Sequence, residues 1–474
     1  MDLTDACFVG VAGQLALLRD GRVSSVELVA AYLDRIARLD GGLNAYRLVF
    51  AEQAREEAVR ADARRARGED GPLLGVPIAL KEDTDLEGLP TTIGTDAVTK
   101  VAAADAEAVS RLRAAGAVVL GRTRAPELCL WPFTESDSGG VTRNPWSLTH
   151  SPAGSSGGAA AAVAAGLAAA ALGSDGGGSI RLPAAATGLF GLKPQRGRVS
   201  LAPHGEVWTG FSVAGPITRT VADAALLLDV LHGPMPGDLH VARPPERPFA
   251  ESAATEPGPL RVAVSLRPWP VGGRVHPAVR DAVESTARVL TSLGHRVVFR
   301  EPPLVDPTGL LSYGPRYVRS AADIVAELDH PERLMASTRS VAAFGRRYSP
   351  GVVAASRRHG DRLAAKVNRM FDDVDIVLSP VTPRPPLRIG ELSGRGWIAL
   401  LLAAQRFGAF TTLWNLVGNP AASVPAGFTQ DGLPLAVQVI GGPHDEATVL
   451  AVSAALQRAR PWADERPPTA ERVN

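Results

Sequence analysis

Cysteine is nearly missing from this chain: Cys7 and Cys129 are the only two in 474 residues. Two distant cysteines build neither a disulfide framework nor a thiolate metal site. Cys129 stands in Glu127-Leu128-Cys129-Leu130-Trp131 and reads as an inert core thiol. Aromatic residues are also scarce, at 5%. A charge excess is missing too. Lys plus Arg total 50 and Asp plus Glu total 49, leaving +1. That balance gives no electrostatic reason to expect nucleic acid or an anionic membrane as partner. The five arginines of Arg55–Arg67 alternate with Glu, Asp and Ala, as on a solvated helix face. No long apolar run is present. The uncharged stretch Gly157–Ser174 is Ala and Gly with one Val and two Leu. It is too short and too weakly apolar to span a membrane, and it predicts a tightly packed buried helix. The start, Met1-Asp2-Leu3-Thr4-Asp5-Ala6, lacks the basic and apolar regions of a signal peptide, so the expected compartment is the cytoplasm. His150, His204 and His444 are isolated and show no metal-ligand spacing.

What is present is a core-forming sequence, 45% hydrophobic, long enough for two to four domains or one large α/β unit. Residues 1–65 read as helical, with Ser24 or Ser25 capping Val26–Leu39. Leu73–Leu80 reads as a buried strand, Ala104–Ala115 as a helix and Ala117–Leu120 as a strand. Gly154–Leu172 begins as a Ser/Gly loop and continues as an Ala-rich helix, and Thr220–Leu231 is a further helix. Residues 235–259 hold many Pro, Gly and acidic residues and read as a connector on the surface. Beyond it come the strand Leu260–Leu266, the helix Pro277–Leu293 and the strand Arg296–Phe299. Strands at Val374–Leu378, Ala421–Val424 and Leu435–Ile440 and the helix Glu446–Arg458 follow. Alternating strands and helices favour a parallel or mixed sheet with helices on both faces.

Three segments carry chemistry: Lys81 after the apolar strand, Gly154-Ser155-Ser156-Gly157-Gly158, and Gly173-Ser174-Asp175-Gly176-Gly177-Gly178-Ser179-Ile180-Arg181. Consecutive glycines let backbone approach a ligand, and their N–H groups can converge on an anion. An oxyanion hole needs that arrangement beside a nucleophile. A serine hydroxyl needs a base, and a lysine qualifies when burial depresses its pKa. Glu82, Asp83 and Asp85 would oppose that shift if close. Gly154–Gly158 also fits G-x-S-x-G, but the nucleophile elbow needs a strand directly before it, and Asn144–Ala153 is no strand. The triple glycine misses the dinucleotide pattern, since Arg181 occupies its last position.

These residues, in this order, resemble the amidase-signature enzymes. The likeness extends through Arg143-Asn144-Pro145-Trp146, Gly191-Leu192-Lys193-Pro194, Gly215-Pro216-Ile217-Thr218-Arg219, Asn415–Ala421 and Asp431-Gly432-Leu433-Pro434. It implies an α/β fold: a large mixed β-sheet flanked by α-helices on both faces, in one domain over 1–474. Within it, 1–65 would be N-terminal helices, 66–234 the signature core, 235–259 the connector, and 260–474 the part completing the sheet. The resemblance further implies amide hydrolysis through a Ser179 acyl-enzyme. Lys81 would be the base and Ser155 the relay, its peptide bond cis. Backbone N–H groups of Gly176, Gly177, Gly178 and Ser179 would hold the oxyanion, while Asp175 and Arg181 shape the loop. It implies a small-molecule amide as partner and no metal or organic cofactor, and it is compatible with a homodimer. Gly139-Gly140 stands where the family often has Phe-Gly, which bears on the pocket wall. Trp131, Phe133, Trp208 and Trp414 fit an acyl pocket and core packing equally well.

Two rivals remain open. One is the glutaminase component of a tRNA-dependent amidotransferase, whose corresponding segment typically carries an Asp that reads glutamine's amino group. Here Gly408 stands there, and Trp414 precedes Asn415, which points to an apolar substrate. The other is a non-catalytic binding protein of the same fold, against which the intact Lys81, Ser155 and Ser179 argue.

Overall fold

A computed structural model describes residues 2–470 apart from 271, 272, 305, 307 and 308. The main sheet comprises β1 (Tyr46–Val49), β2 (Pro77–Lys81), β3 (Val118–Thr123), β4 (Ala170–Asp175), β5 (Phe190–Lys193), β6 (Val213–Thr218), β7 (Arg261–Val264), β8 (Arg296–Phe299), β9 (Ile376–Pro380), β10 (Ala421–Phe428) and β11 (Pro434–Gly441). Their spatial order is β1-β3-β2-β4-β6-β5-β10-β11-β9-β7-β8. The β2–β3, β2–β4, β7–β8 and β7–β9 pairs are parallel, and the other pairs in the order are antiparallel. Every residue of β2, β3, β9 and β11 is buried, so helices and loops cover both faces of the sheet there.

Helix ends follow local chemistry. Ser24 and Glu27 form a reciprocal capping box on Ser25–Leu43, and Thr220 and Asp223 do the same for Val221–Leu231. The reading of 1–65 as wholly helical is corrected by β1. Asn44 turns left-handed at φ 55°, and Asp40 then accepts from the N–H groups of Ala45 (2.7 Å) and Tyr46 (3.2 Å). The chain is thereby released into a strand against β3. The Ala-rich segment is corrected too. Its helix is only Gly157–Ala164, Gly166 turns at φ 68°, and Ala170–Leu172 belong to β4. Alanine has no intrinsic preference for a strand, but β4 is paired on both sides and its Ala170–Leu172 are buried, which overrides propensity. The connector is less superficial than its composition suggests. It contains the helix Phe249–Ala254, whose Phe249 is 2% exposed in the main core.

Sheet order explains where chemistry can gather. β2 and β4 are parallel neighbours in the sheet interior, registered Leu80 to Leu172. Both therefore end on the same side, delivering Lys81 and the Ser174-Asp175 pair to one place. The carboxyl ends of parallel strands are the usual location of α/β sites. No described helix is long and apolar enough to cross a membrane.

Candidate active site

Lys81 closes β2 and is fully buried. Its Nζ lies 2.7 Å from Ser155 Oγ, 2.7 Å from Ser174 Oγ and 3.0 Å from Asp83 Oδ2. Ser174 in turn donates to Asp83 Oδ2 at 2.5 Å. Ser155 reaches this cluster from the loop before the helix Gly157–Ala164, and its bond to Gly154 is cis. A Cβ on Gly154 would sit 2.8 Å from both Phe133 N and Trp131 O, so only glycine fits there.

The expected depression of the lysine does not hold. Burial pushes the Lys81 amine down, but the Asp83 carboxylate against it pushes it up and prevails. The sequence placed Asp83 two residues away without showing which way it faced.

Ser179 lies in the turn between β4 and the helix Arg181–Thr187. Asp175 organises that turn. Its Oδ1 accepts from Gly178 N at 2.7 Å and Asn415 Nδ2 at 2.8 Å, and its Oδ2 accepts from Ile180 N at 3.2 Å. Arg181 grips the same carboxylate with two bonds of 2.9 Å and reaches Gln438 Oε1 at 2.5 Å and Asn415 Oδ1 at 2.6 Å. Both members of this ion pair are fully buried. Burial pushes the Asp175 carboxyl up, while Arg181 pulls it down and wins, holding it below the ordinary carboxylate range. One donor of the expected oxyanion set is corrected here. Gly178 N–H is committed to Asp175, leaving Gly176, Gly177 and Ser179 as the turn's candidate donors.

Ser155 and Ser179 line one cavity, shared with Trp208, Tyr313, Tyr317 and Gln405. Lys81 thus connects directly to Ser155. The second link, Ser155 to Ser179, is not a hydrogen bond among the described residues, although Ser156 N donates to Ser179 O at 3.1 Å and holds the two segments together. Such bonds are often long before substrate tightens a site. Among the described residues, no charged side chain lines the cavity. Tyr313 stacks on Tyr317 with centroids 5.2 Å apart, and Trp208 lies 5.2 Å from Tyr317. Gln405 Oε1 is buried with no partner among the described residues. Of the aromatics considered from sequence, Trp131 and Trp208 line the cavity. Trp414 packs in a core cluster and Phe133 in another. Cys129 is not a simple core residue either. It lines the cavity, 3.5 Å from Asp83 Oδ2, though burial pushes its thiol far up and keeps it protonated.

Sequence reasoning missed Ser174, Tyr313, Tyr317 and Gln405. Ser174 carried a signal, since a residue at the end of a strand parallel to β2 must lie near Lys81. The other three come from segments that only tertiary packing brings to the turn.

A family model described as Amidase matches residues 27–450. The chain belongs to the amidase family. AmiB2 of Mycobacterium tuberculosis is 50% identical to this amidase over 469 residues, covering 98% of this chain and 99% of that one. AmiA2 of the same organism is 42% identical over 454 residues, covering 94% of this chain and 92% of its own. The glutamyl-tRNA(Gln) amidotransferase of Desulforapulum autotrophicum contains a chain 36% identical to this one, over 95% of this chain and 96% of its own. Among solved structures, 6-aminohexanoate cyclic dimer hydrolase in complex with substrate superposes with a TM-score of 0.89. It is 32% identical and covers 99% of this chain and 100% of that one.

Proposed function

We propose that this amidase hydrolyses small uncharged carboxylic amides, with apolar or aromatic groups around the scissile bond, through an acyl-enzyme on Ser179. The reading is carried by Lys81 Nζ standing 2.7 Å from Ser155 Oγ in the cavity that also holds Ser179. Neutral Lys81 takes the Ser155 proton as Ser155 takes that of Ser179. Ser179 Oγ bonds to the amide carbon, and the carbonyl π pair moves to oxygen, toward the N–H groups of Gly176, Gly177 and Ser179. On collapse the C–N bond breaks and nitrogen receives a proton back through Ser155. Water then clears the ester.

The uncharged aromatic wall supports the substrate class. Glutamine would bring an ammonium and a carboxylate into a cavity whose described lining offers neither a counter-anion nor a cation. Assay of the purified chain on 4-nitroacetanilide, benzamide and glutamine tests this. Turnover of the aryl amides and none of glutamine is expected. Preference for glutamine would overturn the substrate class, and failure of a fluorophosphonate probe to label Ser179 would overturn the nucleophile.

The turn itself gives a second expectation. Gly178 sits at φ 125°, and a Cβ there would lie 2.3 Å from Thr411 Oγ1, which donates to Gly177 O at 2.6 Å. Gly178→Ala must push the turn off Thr411 and misplace the neighbouring donors. A fall in kcat on the order of a hundredfold is expected, the usual cost of one lost oxyanion donor. Parallel thermal melting checks that the fold survives.

A further inference from the structure

The partners of Lys81 carry information beyond its identity as a base. An ammonium offers three donors and no acceptor. Around Nζ stand three acceptors, Ser155 Oγ, Ser174 Oγ and Asp83 Oδ2, at 2.7, 2.7 and 3.0 Å. Ser174 spends its own proton on Asp83, so toward Lys81 it can only accept. An ammonium fits this set with all three of its donors. The neutral amine fits the same three oxygens, with its two N–H groups toward Ser174 and Asp83 and its lone pair toward the Ser155 hydroxyl, the direction that proton abstraction requires.

We propose that Asp83 is a positioning residue that stores Lys81 as the ammonium at neutral pH and strengthens it as a base once its extra proton has left for solvent. The proposal rests on the Ser179–Ser155–Lys81 reading above. The other charged groups around the amine are already engaged elsewhere. Glu82 is buried but lies 3.5 Å from Arg47 and accepts from Ala125 N and Thr92 Oγ1. Asp85 pairs with His204 at 2.9 Å. Arg122, from β3, faces Glu82, Asp83 and Asp85 but gives its hydrogen bonds to the carbonyls of Pro90, Glu82 and Thr84. Cys129, the remaining titratable neighbour, stays a neutral thiol. Asp83 is the one carboxylate in ion-pair contact with Lys81 among the described residues. Its Oδ1 is buried with no partner among them, so half of the group does nothing for the scaffold.

A carboxylate in this position has two opposed effects. It stabilises the ammonium in the free enzyme, so fewer molecules carry the neutral base at pH 7. It equally stabilises the ammonium that forms as Ser155 gives up its proton, so each neutral base is more effective. Removing the charge must trade one effect against the other.

The test is kcat/KM for 4-nitroacetanilide against pH, in wild type, Asp83→Asn, Asp83→Glu and Ser174→Ala. The wild type should rise along an alkaline limb. Asp83→Asn should move that limb down by about one to three pH units, the usual effect of an adjacent opposite charge. Its plateau should fall by roughly tenfold, because the base is weaker, so that the two profiles cross. Asp83→Glu should return the limb toward wild type. Ser174→Ala keeps the charge and should move the limb less than Asp83→Asn. A purely structural role would lower the whole Asp83→Asn profile without moving its limb, and that result overturns the proposal. If Asp83→Asn does not fold, the pH dependence of fluorophosphonate labelling in wild type decides. An alkaline midpoint supports the proposal, and a midpoint at or below neutrality sinks it. Ser179→Ala, measured alongside, separates the two layers. Turnover surviving in it sinks the underlying reading, whereas its loss together with an unmoved Asp83→Asn limb sinks only the role of Asp83.

Discussion

Ser179→Ala is expected to lower kcat for aryl amides by about four to six orders of magnitude, with melting temperature nearly unchanged. Removing the nucleophile of a serine hydrolase typically costs on the order of 10⁶ in kcat, and binding and oxyanion contacts account for what survives. Stability should be spared because Ser179 is only partly buried and its neighbours hold the turn without its hydroxyl. The bonds from Gly178 N, Ile180 N and Arg181 to Asp175 all remain. Single-turnover kinetics and a melting curve on the same preparation check both halves. A variant that keeps more than about a hundredth of wild-type kcat would require another nucleophile, with Ser155 and Ser156 the hydroxyls to try next.

Arg181→Ala has the largest expected effect on stability. Its guanidinium is fully buried and bonds to Asp175, Asn415, Gln438 and the Thr411 carbonyl. Breaking a buried pair by deleting one partner typically costs about 3–5 kcal/mol, because a charge is left uncompensated. The pH dependence identifies that cause. In wild type the folded Asp175 carboxyl titrates below its unfolded value of 3.8. It therefore stabilises the fold above that value, and the contribution fades as pH falls through the lower, folded value. In Arg181→Ala the largest influence opposing burial is gone, leaving Lys193, Asn415 and the turn's N–H groups, and the folded carboxyl is expected to titrate above its unfolded value. The variant then regains stability relative to wild type as acidification neutralises Asp175. Urea melts at pH 7 and pH 5 should show the deficit shrinking by about 1 kcal/mol or more for each unit of upward displacement crossed. An equal deficit at both pH values would assign the loss to packing. Arg181→Lys should recover only part of it, since an ammonium cannot reproduce the two-pronged grip on Asp175.

How much of this was legible beforehand depended on whether the signal was local. The cap of the first long helix could be narrowed to Ser24 or Ser25 because cap and partner lie three residues apart, and Ser24 fills it. A strand within Leu73–Leu80 could be read because a short apolar run between turn residues has few other uses, although Leu73–Gly75 form a turn and the strand itself is Pro77–Lys81. β1 and β4 could not, because Tyr46–Val49 is a strand through pairing with β3, and Ala170–Leu172 through pairing with β2 and β6. Lys81, Ser155 and Ser179 were proposed through the family resemblance of their segments, and the fold sets Ser155 and Ser179 on one cavity wall with Lys81 buried behind Ser155. The state of Lys81 was not legible, since it turns on whether Asp83 points inward, a matter of one rotamer. The aromatic wall was illegible for a different reason. Tyr313, Tyr317 and Gln405 stand in ordinary amphipathic sequence, and nothing local separates a residue facing a cavity from one facing a core.

The cavity is assembled from two unequal sources. Its reactive floor, with Ser155 and Ser179, comes from one part of the chain, backed by Lys81 and locked by β2, β4 and the Asp175–Arg181 clasp. Much of its roof, from Tyr313 to Thr412, is carried by helices that contribute nothing to the Lys81 cluster. Such a division of labour favours evolvability: substitutions can accumulate overhead and retune which acyl group is admitted, while the machinery beneath stays frozen.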